Sequence, residues 1–235
     1  MSRADALTPA QIQRVLKTCQ LMPHCQGKRC AVVLSHAALR VTEMALLKTE
    51  HILFANGKIR DEVNLPANIC KFLKPRTIWL TNKTSRTIIQ EWIEYRLVKK
   101  WGVSGCADYQ GLLPTSRFLY TVRGAPYSLQ PKPRILDSGE IREYWACDSL
   151  EQAMREIYKK CGLPSASSHT GRKSLCTNAV LSGVPIENVA RILGHASAET
   201  TIDYVVIQQS RIKQMPLICN VTCITESKPP VPFPA

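Results

Sequence analysis

Six residues of this chain are of types that could together carry out phosphoryl transfer: Arg40, Lys71, His169, Arg172, His195 and Tyr204. Two guanidiniums can clamp the nonbridging oxygens of a phosphodiester bidentately and offset the charge of a pentavalent transition state. Two imidazoles can donate hydrogen bonds or move protons near neutral pH. A lysine whose pKa is lowered by neighbouring cations can protonate a departing sugar hydroxyl. A tyrosine hydroxyl, with an ordinary pKa of about 10, is a poor nucleophile unless cations or a base help to deprotonate it. Such a set would move a phosphoryl group to tyrosine without a metal, and the sequence offers no carboxylate cluster fit to hold Mg²⁺. Taken singly, each residue has a plainer role. Arg40 can cap a helix, Lys71 can sit at a hairpin tip, and His169 and Arg172 can simply share a helix face. His195 behind Gly194 can cap a helix C-terminus, and Tyr204 beside Ile202 and Val205 can be a core tyrosine. Their order and spacing set them apart.

The elements that must position these residues are mostly helical. Thr8-Pro9-Ala10-Gln11 is a capping box with Pro at the first helical position, and Ile12, Val15, Leu16 and Cys19 form one face behind it. A buried helix is expected over Ala31 to Leu39, then a turn at Arg40 and a short helix capped by Thr42. Ile59 to Leu65, Ile69 to Phe72 and Arg76 to Leu80 read as short strands of a small antiparallel three-stranded sheet, with Lys71 and Lys74 near a hairpin tip before Pro75. Ile88, Ile89, Trp92, Ile93 and Leu97 make an apolar helical stripe closed by Lys99-Lys100. Residues 102–148 read as loop-rich. Ser149 and Gln152 form a second capping box for a helix that stops at Gly162. Helices then end at Gly183 and Gly194, and Ser197 is expected to cap a long final helix containing Tyr204. The fold class is α+β, mainly helical.

The order of boxes resembles a known family. His169-Thr-Gly-Arg172, Leu193-Gly194-His195 and Tyr204 nine residues later are similar to the C-terminal signature of the tyrosine recombinases, the phage-integrase family. Ala38 to Glu43 resembles that family's first arginine box, and Cys70-Lys71-x-x-Lys74-x-Arg76-x-Ile78-x-Leu80 its lysine-bearing hairpin. The resemblance implies the catalytic-domain fold of that family over roughly residues 8–215 and a site-specific DNA recombinase that needs no metal, cofactor or ATP. It implies that Tyr204 attacks the scissile phosphate to form a 3′-phosphotyrosyl link, with Arg40 and Arg172 clamping the phosphate and Lys71 as general acid for the 5′-oxygen. His169 would assist proton transfer, His195 would hydrogen-bond the phosphate, and Glu43 would support the site. A type IB topoisomerase-like enzyme shares this chemistry, and a non-catalytic DNA-binding accessory protein is the alternative from another class.

Two departures accompany the resemblance. Gly171 stands where the second box usually has Leu, which would weaken the start of that helix. Thr8 already begins the catalytic region, so the expected layout is one catalytic domain, residues 1–225, with no separate N-terminal core-binding domain and a proline-rich tail, 226–235, expected to be disordered. That layout resembles fimbrial invertases and plasmid-encoded integrase-like recombinases. Residues 205–225 carry Val205, Val206, Ile207, Ile212 and Met215 and are expected to support a homo-oligomer, dimer or tetramer, on DNA.

Composition agrees with a nucleic-acid partner. The 235 residues carry 31 Lys and Arg against 18 Asp and Glu, a net charge of +13. A pI near 9.4 makes double-stranded DNA the leading partner and an anionic membrane surface the second. Lys74, Arg76, Arg117, Arg123, Lys132, Arg134 and Lys173 are candidate DNA-binding cations, the first six of them within the strongly basic stretches 71–101 and 117–134. No apolar run approaches the ~18 residues of a transmembrane helix. The N-terminus lacks the apolar core of a signal peptide, so a bacterial, cytoplasmic, nucleoid-associated protein is expected. The ten cysteines occur singly, without a CxxC pair, and read as reduced, mostly buried thiols. His24, Cys25 and Cys30 lack a second ligand pair at zinc-site spacing.

Overall fold

The structure is a computed structural model that describes residues 6–135, 139–194, 198–202 and 205. His195 and Tyr204, the expected cap at Ser197, the segment 206–225 and the proline-rich tail lie outside the described residues.

The N-terminal capping box forms as the sequence indicates. The Thr8 hydroxyl accepts from the Gln11 amide at 3.2 Å, and the Gln11 side chain accepts from the Thr8 amide at 2.8 Å. Helix α1, Pro9–Gln20, follows and buries Val15, Leu16 and Cys19. Helix α2, Cys25–His36, begins earlier than the apolar run alone indicates and is the hub of the molecule. Its Cys30, Val32 and Leu34 have no exposed surface. Helices α1, α5 (Lys83–Lys99), α6 (Asp148–Lys160) and α7 (Thr170–Leu181) all pack on it. Between them, α3 (Val41–Leu46) and α4 (Thr49–Ile52) are short. The later helices are α8 (Ile186–Leu193) and the described part of α9 (Ala198–Ile202). Cys19, Cys30, Cys70, Cys147, Cys161 and Cys176 are buried, as expected for thiols used as small apolar residues.

The strands differ from the expected three-stranded sheet. Strands β1 (Glu62–Leu65) and β2 (Arg76–Trp79) pair antiparallel, with Val63 opposite Ile78 and Leu65 opposite Arg76. The expected middle strand at 69–72 is instead part of two 3₁₀ turns, Ala67–Ile69 and Lys71–Leu73. Leu73 has φ +53°, a left-handed backbone that no strand contains, and prolines 66 and 75 bound the connection. Lys71 therefore sits in the loop joining β1 to β2 and not on a strand.

A second hairpin lies in the stretch expected to be loop. Strands β3 (Gln130–Ile135) and β4 (Ile141–Ala146) pair antiparallel, so the described residues hold two separate two-stranded sheets. Pro131 and Pro133 read as strand breakers. They are two apart, so both ring nitrogens fall on the same edge of a ribbon in which each strand is an edge, where proline is tolerated.

Two caps also differ in detail. Helix α3 is capped by Arg40 and not by Thr42: the Glu43 carboxylate accepts from the Arg40 amide at 2.7 Å. Helix α6 starts at Asp148 behind Cys147, so the box expected at Ser149 is not its cap.

Gly171 lies close against α2. A Cβ placed there would lie 2.6 Å from the backbone carbonyl of Ser35, which cannot yield as a side-chain tip can. The glycine permits the close approach, and a leucine would not fit. We expect Gly171→Ala to destabilise the fold by about 1–3 kcal/mol in urea denaturation with an unchanged slope, because overpacking outweighs the ~1 kcal/mol gained in helix propensity. Equal or greater stability would contradict the close approach.

Candidate active site

Four of the six residues singled out by chemistry come from separate elements and line one cleft of about 1440 Å³: Arg40, Lys71, His169 and Arg172. Arg40 caps α3, Lys71 opens a 3₁₀ turn between β1 and β2, and His169 and Arg172 stand at the start of α7. His195 and Tyr204 lie outside the described residues.

The arginines are held by a buried charge network centred on Glu43, whose side chain has no exposed surface. One carboxylate oxygen accepts from Arg40 Nη1 at 2.9 Å, and the other is paired with Arg76 Nη2. Burial alone would push the Glu43 carboxyl up, but Arg76 and Arg40, with the Arg40 amide, bring it below the ordinary carboxylate value.

The same guanidiniums cap the C-terminus of α8. Arg76 Nη1 donates to the Ile192 carbonyl at 2.9 Å, and Arg172 Nη2 donates to the Leu193 carbonyl at 2.7 Å. Arg40 Nη2 reaches that Leu193 oxygen at 3.4 Å. These are orphan acceptors at the negative end of a helix, where cations are favoured. Gly194 closes α8 with φ +64°, and a Cβ there would meet the Arg76 side chain at 2.6 Å. The backbone entering the Gly194-His195 box is thus tied to the arginines of the first two boxes.

The α2–α3 turn contributes a second shared acceptor. The Ala38 carbonyl accepts from Arg76 Nη2 at 2.8 Å and from Arg172 Nη1. Ala38 has φ +72°, which costs an L-residue about 1–2 kcal/mol. Two charged donors on one oxygen offset that cost, since hydrogen bonds to charged groups are worth about 1.5–3 kcal/mol each.

His169 opens on the cleft. Protein packed around its ring withholds solvent from the charged form, and the Arg172 guanidinium repels a second positive charge. Both hold its pKa below the ordinary 6.5. The neutral imidazole can accept a proton at neutral pH.

The candidate DNA-binding cations do not behave alike. Lys74 is exposed and lines the cleft. Arg76 borders the cleft with its side chain 5% exposed and paired with Glu43 and two backbone carbonyls, and Arg172, 1% exposed, likewise donates to two backbone carbonyls. Arg117 is half-buried and donates to the Leu46 carbonyl at 2.7 Å. Arg123 is exposed on a turn away from the cleft lining. Lys132 pairs with Asp148 at 2.6 Å, Arg134 lies on β3, and Lys173 is half-buried on α7. The cleft also recruits Arg191 from the last turn of α8 and Tyr144 and Trp145 from β4. Arg191 follows Glu187 at i+4 and looks like an ordinary helix-surface pair, and the two aromatics fall in the stretch read as loop.

Glu43→Gln should cost about 3–5 kcal/mol at neutral pH, because it leaves buried guanidiniums without their counter-charge. A depressed carboxyl contributes stability that is present above its unfolded pKa near 4.5 and lost as pH falls through the lower folded value. Urea denaturation across that range should show the wild type losing this stability with acid and the variant losing correspondingly less. Parallel pH profiles would contradict the network.

Comparison with known proteins follows the same lines. Residues 141–211 match the model of the phage integrase family, a stretch that includes His169, Arg172, His195 and Tyr204. The chain superposes on XerA recombinase with a TM-score of 0.64 at 17% identity, over 90% of this chain and 63% of that one. For the Tn1549 transposon integrase in complex with circular intermediate DNA, the TM-score is 0.56 at 18% identity, over 91% and 66% of the two chains. For a lambda integrase dimer bound to a core site, it is 0.56 at 12% identity, over 87% and 59%. The chain therefore spans less than two thirds of these structures. No curated protein sequence matches it. Among the described residues, no helix is long and apolar enough to cross a membrane.

Proposed function

We propose that this chain, whose fold is that of a tyrosine recombinase catalytic domain, is a site-specific DNA recombinase of the integrase class. The observation that carries this reading is the convergence of Arg40, Lys71, His169 and Arg172 on one cleft from separate elements. Arg40 and Arg172 hold the two nonbridging oxygens of the scissile phosphate, already oriented by Glu43 and the α8 carbonyls, so little reorganisation is needed as charge develops. The Tyr204 oxygen forms a bond to phosphorus while the P–O5′ bond breaks. The tyrosine proton passes to neutral His169, and Lys71 protonates the departing 5′-oxygen. His195 donates a hydrogen bond to the phosphate. The 3′-phosphotyrosyl bond conserves the energy of the broken one, so a 5′-hydroxyl from the same or another strand can reverse the step without ATP. The guanidiniums supply the charge neutralisation that a metal ion provides elsewhere. Double-stranded DNA is the substrate, the active form is a homo-oligomer on DNA, and the site of action is the bacterial cytoplasm.

The test is covalent capture. A pool of nicked suicide duplexes of randomised sequence, incubated with the full chain, should yield an SDS-resistant protein–DNA adduct that Tyr204→Phe abolishes. An adduct that persists in Tyr204→Phe would remove Tyr204 as nucleophile, and no adduct from any duplex would favour a non-catalytic DNA-binding protein. Relaxation of supercoils over many turnovers without strand exchange would favour a topoisomerase. The adduct-forming rate should also fall as pH drops below 6.5, as His169 takes up a proton, with an apparent pKa below that value. His169→Gln should lose that acid limb, and a limb unchanged in this variant would assign the titration to another group.

A further inference from the structure

The β3–β4 ribbon is two-faced. Its register sets Lys132 opposite Tyr144 and Arg134 opposite Arg142, so these four share one face. The other face carries Pro131, Pro133 and Ile135 opposite Trp145, Glu143 and Ile141. The basic row contains no acid of its own, although Lys132 pairs with Asp148 from α6. The apolar face is exposed, with Ile135 at 72% and Ile141 at 67%. Its one charge is an acid, which a phosphate backbone would repel.

The ribbon also borders the cleft. Tyr144 and Trp145 at its base line the cleft that holds Arg40, His169 and Arg172. From there the six-residue strands extend about 20 Å. A two-stranded ribbon is of a size that the major groove of a duplex admits.

We infer that the β3–β4 ribbon is a DNA-gripping arm, with the Lys132–Arg134–Arg142–Tyr144 face laid along the duplex whose phosphate occupies the cleft. This inference rests on the recombinase reading above. The arm adds phosphate contacts beyond the reacting one and fixes the orientation of the duplex across the cleft. The Lys132–Asp148 pair opens as a DNA phosphate takes the place of the carboxylate.

Salt-dependent binding to a fluorescein-labelled duplex of random sequence tests the arm. The full chain is compared with Arg134→Ala/Arg142→Ala, Arg134→Lys/Arg142→Lys and Ile135→Ser/Ile141→Ser. The alanine pair should flatten the slope of log affinity against log salt by about two and weaken binding roughly tenfold or more at low salt. The lysine pair should keep the wild-type slope, which guards against a trivial folding defect, and the serine pair should bind as wild type does. An unchanged slope in the alanine pair would overturn the arm. So would a loss confined to the serine pair, which would mark the ribbon as a protein–protein contact. A wild type that forms the Tyr204 adduct while the alanine pair keeps its slope removes the arm alone. A wild type that neither binds duplex nor forms the adduct removes the recombinase reading with it.

Discussion

A carboxylate with no exposed surface, that of Glu43, is shared by Arg40 and Arg76, and each of those guanidiniums also reaches a backbone carbonyl at the end of α8. Burying one acid among several cations is costly, and it is tolerated only where every charge has a partner. Here the partners are the ends of secondary-structure elements: the N-terminus of α3, the α2–α3 turn at Ala38 and the C-terminus of α8. Removing the acid would leave two guanidiniums without their counter-charge beside the C-terminus of α8. The cluster therefore couples the stretch 38–43, strand β2 and the end of α8, three segments far apart in the chain that each contribute residues to the cleft.

That coupling explains why Arg76 is more deeply buried than Arg40, although both border the cleft and the sequence presents both as basic residues near a box. Arg40 caps α3 and is 20% exposed, which leaves it one edge for a ligand. Arg76 sits on β2 with all its drawn contacts inside. A guanidinium can serve either purpose, because its planar fork satisfies a carboxylate and a carbonyl together. In the proposed reaction the shared carboxylate and backbone carbonyls keep the arginines rigid, so the phosphate meets donors already in place.

Much of this was legible in the sequence, and the exceptions have physical causes. The capping box at Thr8, the apolar stripe of α5 and the glycine stop of α8 are local signals, and each element formed where those signals put it. The cleft residues Arg40, Lys71, His169 and Arg172 were legible through their types and order. Whether Arg76 is buried depends on a carboxylate 33 residues away, which no local pattern carries. The β3–β4 ribbon was hidden because Pro131 and Pro133 look like strand breakers until the strand is known to be an edge. Gly171 resembled a weak point in a helix, yet the Ser35 carbonyl of α2 demands it. Tertiary neighbours made the difference in all three cases.

The account assigns separate tasks to the cleft cations: under the proposed function, arginines hold the phosphate and Lys71 protonates the leaving oxygen. Cleavage of DNA whose scissile 5′-bridging oxygen is replaced by sulfur separates those tasks, because a thiolate departs without needing a proton. Single-turnover cleavage should be slow for Lys71→Ala on ordinary DNA and restored towards the wild-type rate on the sulfur-bridged duplex, while Arg172→Ala stays slow on both. An equal defect of Lys71→Ala on the two substrates would contradict the division of labour on which the account rests.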